Sequence, residues 1–260
     1  MRLTFIGSGN VATHMAAAFK NAGHRIVQVY SPNLHNASLL AYHVGAAATD
    51  NIADISADTG LFIISVKDDA IEQIAQTLAS HQKLMVHTSG ATSLDVLLKY
   101  TDKAGVLYPL QTFSKTREVD FLNVPLCIEA ASDSIYADLQ QFAATVSNRV
   151  YSINSAGRKI LHLAAVFACN FPNYLYGVAQ QLLAHHQLDF NLLRPLILET
   201  AEKVQQQAPA SVQTGPAVRN DQSTMAAHLQ LLHDEPQMQA IYTLLSQAII
   251  KNNIDGRGDK

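Results

Sequence analysis

An open α/β sheet with helices on both faces, followed by an all-helical domain, is the fold this sequence predicts. Three observations carry the prediction. Short β-rich runs alternate with helical patterns as far as Asn154, the mark of a parallel sheet with crossover helices. Several of the runs are almost wholly apolar, as strands covered on both faces must be. Beyond Ser155 strand signals stop and a helical period takes over.

Taken in order, the expected strands are Arg2–Ile6, Arg25–Tyr30, Leu61–Val66, Leu84–His87, Gly105–Leu107, Leu126–Glu129 and Val150–Ile153. The helices expected between them are Val11–Asn21, Ala37–Val44, Ala70–Leu78, Leu94–Tyr100 and Ser134–Val146. Gly23 follows the first helix, where a C-terminal glycine belongs. The later helices are Ala156–Leu183, Leu192–Gln206, Met225–Leu232 and Gln237–Lys251. The expected domains are therefore 1–154 and 155–254, with a disordered tail at 255–260 that carries two glycines and four charges.

Composition narrows the class. The chain has 260 residues, 48% apolar and only 15% charged, which favours a covered subunit interface. A formal net charge of -3 and the lack of a Lys/Arg run argue against a nucleic-acid partner. Cys127 and Cys169 are too few for a disulfide framework, and they fit small buried hydrophobes in a reducing compartment. No metal-ligand spacing links the cysteines or His185, His186, His228 and His233. The segment Arg2–Phe19 resembles a signal peptide only until Gly7, Ser8, Gly9, Asn10, Thr13 and His14 interrupt it. Leu163–Cys169 is too short to span a bilayer. A cytoplasmic protein with no membrane partner is expected.

The first turn reads Ile6-Gly7-Ser8-Gly9-Asn10-Val11-Ala12, a Gly-x-Gly-x-x-Ala pattern between a strand and a helix. Gly7 suits the tight turn, Gly9 lets the backbone approach a pyrophosphate, and Ala12 permits close helix–strand packing. Free amides and the helix dipole near Asn10 and Val11 favour negative charge. In this context the pattern is the fingerprint of a Rossmann dinucleotide-binding domain, doubly wound around a parallel sheet. A plain strand–helix turn or a methyltransferase loop are the alternatives. The second strand ends at Ser31, where NAD-binding domains place a carboxylate for the ribose. Its absence favours NADP over NAD. No arginine follows to hold a 2′-phosphate, which leaves Asn33 or His35 as weak substitutes, and Ser31 alternatively caps the next turn.

Ligands of open α/β sheets bind beyond the carboxyl ends of the strands. Val66 and Lys67, His87 and Ser89, and Thr112 lie in three loops at that edge. Val66, Lys67 and Ser89 are assigned to the cofactor with Gly7, Ser8, Gly9, Asn10, Val11 and Ser31; His87 and Thr112 are assigned to the substrate. Asp68 is equally suited to capping a helix, and Thr88 and Ser89 to forming a turn. Tyr108-Pro109 admits a cis bond.

On a helical wheel of ~100° per residue, Arg158, Lys159, His162, Cys169, Asn170 and Asn173 share an arc of about 120°. Val166 intrudes on it, and Pro172 kinks the helix. Lys159 or His162 is the proton donor of a carbonyl or imine reduction, and Asn170 completes that catalytic set. Asn173 orients the substrate. Arg219, in the run Thr214–Asp221, suits a carboxylate or phosphate, unless it merely braces the turn by pairing with Asp221.

These residues carry a resemblance. The N-terminal half resembles the Rossmann domain of the 6-phosphogluconate dehydrogenase and pyrroline-carboxylate reductase group. Nearly the whole chain is similar to a bacterial family of uncharacterised oxidoreductase-like proteins with a helical C-terminal domain of unknown function. The matching stretches are Gly7–Ala12, His87–Ala91, Tyr108–Phe113, His162–Asn170 and Thr214–Asp221. The resemblance implies NADP, a homodimer built through the helical domain and a cleft between the domains. Tyr108 stands where the family often has His before Pro-Leu-Gln, and Pro172 interrupts the helix. The related hydroxyacid dehydrogenases use a helical Lys, and Lys159 is its analogue here. An NADP-dependent oxidoreductase acting on a small polar metabolite is the leading expectation. A non-catalytic dinucleotide sensor is the alternative.

Overall fold

The computed structural model describes residues 1–255. The strands are β1 (Arg2–Ile6), β2 (Arg25–Tyr30), β3 (Ala47–Thr49), β4 (Leu61–Ile64), β5 (Leu84–His87), β6 (Ala104–Pro109), β7 (Leu126–Ala130) and β8 (Val150–Ser152). They form one sheet in the order β3-β2-β1-β4-β5-β6-β7-β8. Between them lie α1 (Asn10–Asn21), α2 (Leu34–Val44), α3 (Ile71–Leu78), α4 (Asp95–Leu98) and α5 (Asp133–Ala144).

The sheet is parallel from β3 to β6, and β6 pairs β7 antiparallel. The reason is the connection. Only a short turn, Phe121–Asn123, interrupts the segment between β6 and β7. Without a crossover helix the chain reverses direction. β3 escapes sequence reading because Ala-Ala-Thr has little strand preference. The helix expected at Leu94–Tyr100 shrinks to the single turn of α4. The Tyr108–Pro109 bond is trans.

Side chains alternate across the sheet, so each central strand feeds two cores. Leu61 and Ile63 of β4 join Leu3, Phe5, Met15 and Phe19 on one face. Phe62 and Ile64 join Ile6, Ile71, Met85 and Val106 on the other. Phe19 of α1 stacks on Phe142 of α5 at 4.2 Å and 6°.

The chain divides into two compact units, Met1–Phe171 and Pro172 onward. Strands end near the expected join at 154–155, but the first unit continues through α6 (Ser155–Ala165). Asn154 caps α6 by accepting the Gly157 amide at 2.9 Å. Arg158 then anchors the helix. Its side chain is fully buried, and its fork donates to Glu129 Oε2 at 2.6 Å, the Thr92 carbonyl at 2.6 Å and the Ser89 carbonyl at 3.1 Å. Glu129 also accepts the Ser155 amide and hydroxyl, at 2.9 and 2.7 Å. One guanidinium thus ties β7, α6 and the loop after β5 together.

A π-turn, Val166–Asn170, links α6 to α7 (Phe171–His185). Pro172 lies just beyond it and has no amide hydrogen for the regular ladder. In the second unit follow α8 (Arg194–Gln206), α9 (Gln222–Leu231) and α10 (Pro236–Asp255). Asp255, expected in the tail, closes α10, and residues 256–260 lie outside the described residues. The Tyr242 hydroxyl meets His228 Nδ1 at 2.9 Å and Gln239 donates to the Leu229 carbonyl at 2.8 Å, which joins α9 to α10. Among the described residues, no helix is long and apolar enough to cross a membrane.

Replacing Arg158 by Leu would leave Glu129 without its buried cation. Loss of one partner of such a pair costs about 3–5 kcal/mol. A fall of that order in the unfolding free energy is expected from urea titration. Lys at this position should not recover it, because a single ammonium cannot serve the carboxylate and both carbonyls at once.

Candidate functional site

The strand order reverses between β1 and β4, and that point is where a doubly wound sheet opens a crevice. The main chain shapes it. The Gly7 amide donates to the Tyr30 carbonyl at 2.8 Å, and the Ser65 amide donates to the Ile6 carbonyl at 2.7 Å. The ends of β1, β2 and β4 are thereby locked side by side. A cavity of about 670 Å3 opens above them. Its floor is Gly7, Ser8 and Gly9; Tyr30, Ser31 and Pro32 close one side, and Val66, Lys67 and Gln73 the other.

The two glycines have different jobs. Gly7 has φ +114°, and a Cβ there would stand 2.2 Å from the Ser65 carbonyl oxygen. It is required by the fold. Gly9 has an ordinary φ of -75°, and a Cβ there would meet nothing within 4 Å. No protein contact requires this glycine; what it keeps clear is the approach to the first turn of α1. The residues therefore fit a pyrophosphate, with the N-terminus of α1 supplying amides and positive potential.

Ser31 is buried at the edge of the cavity, and no carboxylate follows β2. Its Oγ faces the Asn33 amide at 3.5 Å, a marginal contact. Asn33 itself caps α2 by accepting the Asn36 amide at 3.1 Å. Val66 and Lys67 line the cavity, with Lys67 exposed. Asn10 and Val11 do not line it. The Asn10 amide instead donates to the Phe113 carbonyl at 2.9 Å, and His14 Nε2 donates to the Ser114 carbonyl at 2.9 Å. His14 also stacks on Phe113. α1 thus clasps the connector that leaves β6. A second cavity of about 670 Å3, lined by Thr13, Ala17 and Phe121, contains none of the residues assigned from the sequence to cofactor, substrate or catalysis.

A polar cluster gathers at the carboxyl ends of β5 and β6. The Tyr108 hydroxyl lies 3.2 Å from His162 Nδ1, and the rings meet edge to face. Gly90 sits against both. A Cβ on it would stand 2.7 Å from His162 Nδ1 and 2.9 Å from Tyr108 Cζ. Burial is the main cause holding the Tyr108 hydroxyl above its ordinary pKa; Cys127 adds to it and Arg158 opposes it. Tyr108 is therefore a neutral hydroxyl at physiological pH.

His87 departs from its expected role. It is fully buried, its Nδ1 accepts the Ser89 amide at 3.2 Å, and its Nε2 makes no hydrogen bond. It cannot touch a substrate in this arrangement, because it is fully buried at the end of a strand flanked by β4 and β6. Ser89 is mostly committed to its own loop: Oγ accepts the amides of Ala91 and Thr92, and its carbonyl accepts Arg158. Thr112 is exposed on the β6–β7 connector.

The polar arc of the wheel does not survive intact. Arg158 points into the fold, while Lys159 is exposed and makes no hydrogen bond or ion pair among the described residues. The π-turn adds a residue to its turn, so Cys169 and Asn170 leave the angles that a regular helix assigns them. Both are exposed. In the second unit Asn173 is exposed on α7. Arg219 is exposed in the turn before α9 and makes no ion pair with Asp221, which caps α9 through the Thr224 amide and hydroxyl. Those bonds hold the Asp221 carboxyl below its usual pKa. Among the described residues no cluster of His, Cys, Asp and Glu could hold a metal. Sequence reasoning missed the Arg158–Glu129 pair and the α3 wall of the cavity. Gln73 and Thr77, one turn apart on a helix leaving the nucleotide edge, were the available signal.

The burial of His87 gives a pH dependence. Desolvation first, and the Arg158 charge second, push its pKa down from 6.5 to about 3, against a weak opposing effect of the Ser93 carbonyl. Folded His87 stays neutral where the unfolded chain takes up a proton. Stability is therefore complete above pH 6.5 and falls as pH drops towards 3. The urea midpoint should decline on acidification more steeply in the wild type than in His87→Gln. Equal slopes would remove His87 as the cause.

Two family descriptions match the chain: a Rossmann-like domain over residues 1–112 and a domain of unknown function, DUF2520, over residues 124–249. No curated protein matches it. A Bacteroides fragilis protein, BF3122, whose name assigns it NADP oxidoreductase activity, is 45% identical. The alignment covers 96% of this chain and 98% of BF3122, with a TM-score of 0.93. Protein TM1727 from Thermotoga maritima is 20% identical over 98% of this chain and 99% of its own, with a TM-score of 0.73. A reductive aminase from Aspergillus terreus, solved with NADPH and ethyl-5-oxohexanoate, has the same fold at 16% identity. It covers 99% of this chain and 95% of its own, with a TM-score of 0.71. The chain belongs to one family with BF3122, in which a Rossmann-like domain is followed by DUF2520.

Proposed function

We propose that this chain is an NADP-dependent oxidoreductase that reduces a carbonyl or imine carbon of a small polar metabolite. The observation that carries the reading is the cavity at the switch point, with Gly9 leaving its floor clear and no carboxylate after β2. The name of BF3122, at 45% identity, supports NADP. The reduced cofactor supplies a hydride when bound. The chain supplies position and a proton. The first turn of α1 holds the diphosphate, and Ser31 and Lys67 flank it. His162 is the preferred donor over Lys159, because the Tyr108 contact fixes its ring while Lys159 is untethered. His162 would give a proton to the oxygen or nitrogen as the carbon is reduced, and would recover it from solvent before the next turnover.

NADPH is expected to bind more tightly than NADH in a fluorescence titration. Gly9→Ala should weaken NADPH roughly tenfold, about 1.4 kcal/mol, with an unchanged melting temperature. Loss of His162 in His162→Gln should lower kcat ~10²–10⁴-fold in a panel of keto acids and imines. If neither nucleotide binds below millimolar, the reading fails. Tight NADPH binding without turnover would instead favour a dinucleotide sensor.

We also propose a homodimer through the helical domain. The second unit leaves Leu192, Leu196, Leu198, Leu231 and Leu244 at least 59% exposed, while its buried hydrophobic residues are few and small in number: Ala217, Met225, Leu232 and Met238 among those described. So much apolar surface on helices needs a partner. Light scattering should give twice the chain mass of 28.3 kDa. A monomer at micromolar concentration would overturn the proposal.

A further inference from the structure

The pair formed by Tyr108 and His162 has a chemistry of its own. The Tyr108 hydroxyl is 9% exposed as a residue and makes one hydrogen bond among the described residues, to His162 Nδ1. A hydroxyl carries one proton and a nitrogen lone pair carries none. If Nδ1 held the proton, the Tyr108 proton would be left without an acceptor. The economical arrangement has Tyr108 donating and Nδ1 accepting. That places the imidazole proton on Nε2, which has no hydrogen-bond partner among the described residues, while His162 as a whole remains partly exposed.

We propose that Tyr108 is the positioning residue of this site: its hydroxyl holds His162 in the Nε2–H tautomer and fixes the ring so that this proton faces the reacting group, and as Nε2 gives it up the Tyr108 proton passes to Nδ1, which keeps the imidazole neutral and leaves a phenolate that solvent reprotonates. The inference rests on the reading of His162 as proton donor. Gly90 is part of the device. Its missing Cβ is the space that lets the loop after β5 close on both rings, and Arg158 holds that loop from behind through the Ser89 and Thr92 carbonyls. The charged and titratable groups facing the pair are few. Cys127 lies opposite Tyr108 on β7, and Arg158 comes from α6 with Glu129 neutralising it. His87, on β5, stays neutral. None of them offers the Tyr108 proton a second acceptor. A phenol donating to Nδ1 orients the ring at no cost in net charge, which suits a site that must also admit an anionic cofactor.

The test uses the full chain with 15N-labelled histidine, with the His162 signals assigned through His162→Gln. In the wild type without cofactor, Nδ1 should report an unprotonated, hydrogen-bonded nitrogen and Nε2 a protonated one. In Tyr108→Phe the Nδ1 resonance should move to the position of a nitrogen without a donor, and Gly90→Ala should move it likewise. In turnover, Tyr108→Phe should lower kcat roughly 10- to 100-fold while the NADPH dissociation constant stays the same. A wild-type Nδ1 that carries the proton overturns the inference, as does an Nδ1 resonance indifferent to Tyr108→Phe. An unchanged kcat in Tyr108→Phe, with turnover still dependent on His162, overturns it too. The wild-type spectrum decides even if both variants fail to fold. Because the spectra need neither nucleotide nor substrate, absence of NADPH binding would sink the proposed reaction and leave this readout standing.

Discussion

The buried Arg158 guanidinium is the constraint on which the site geometry depends. A cation without solvent is tolerated only when its donors are all matched. Here Glu129 supplies the countercharge, and the Ser89 and Thr92 carbonyls and the Ser155 hydroxyl also accept from the fork. Glu129 and the two carbonyls come from β7 and from the loop after β5, so satisfying one side chain fixes where three segments meet. Ser155 adds a further link by accepting the Leu94 amide while donating to Glu129. The loop that carries Gly90 is thus set by an electrostatic demand arising elsewhere.

The same demand shapes the protonation of its surroundings. The Arg158 charge opposes a second positive charge on His87, and at Tyr108 it works against burial, which still prevails and keeps the hydroxyl neutral. Burial first and this cation second thus set the protonation of His87. One histidine at the strand end is held neutral and sealed. The other, on α6, is half-buried beside the Tyr108 hydroxyl.

Much of the fold was legible because its signals are local. β1, β2 and β5 have the bounds that their apolar runs predict, since turn residues close each run. The glycine pattern also announced the crevice at the switch point. What stayed hidden depends on tertiary context. β3 is three residues of weak preference paired to β2. His87 reads as a loop-edge ligand until β4 and β6 are placed on either side of it. Arg158 reads as one more polar residue on a helix, and its partner lies 29 positions earlier. The wheel fails after Ala165 because one irregular turn is enough to break a fixed angular step.

The clasp between α1 and the β6–β7 connector has a consequence for how the chain can vary. Asn10 and His14 reach main-chain oxygens, those of Phe113 and Ser114. Every amino acid presents the same oxygen. The connector can therefore change its side chain at position 114 without releasing the grip, provided its path is kept. Evolution is free to rewrite that stretch while its attachment to the nucleotide-facing helix persists.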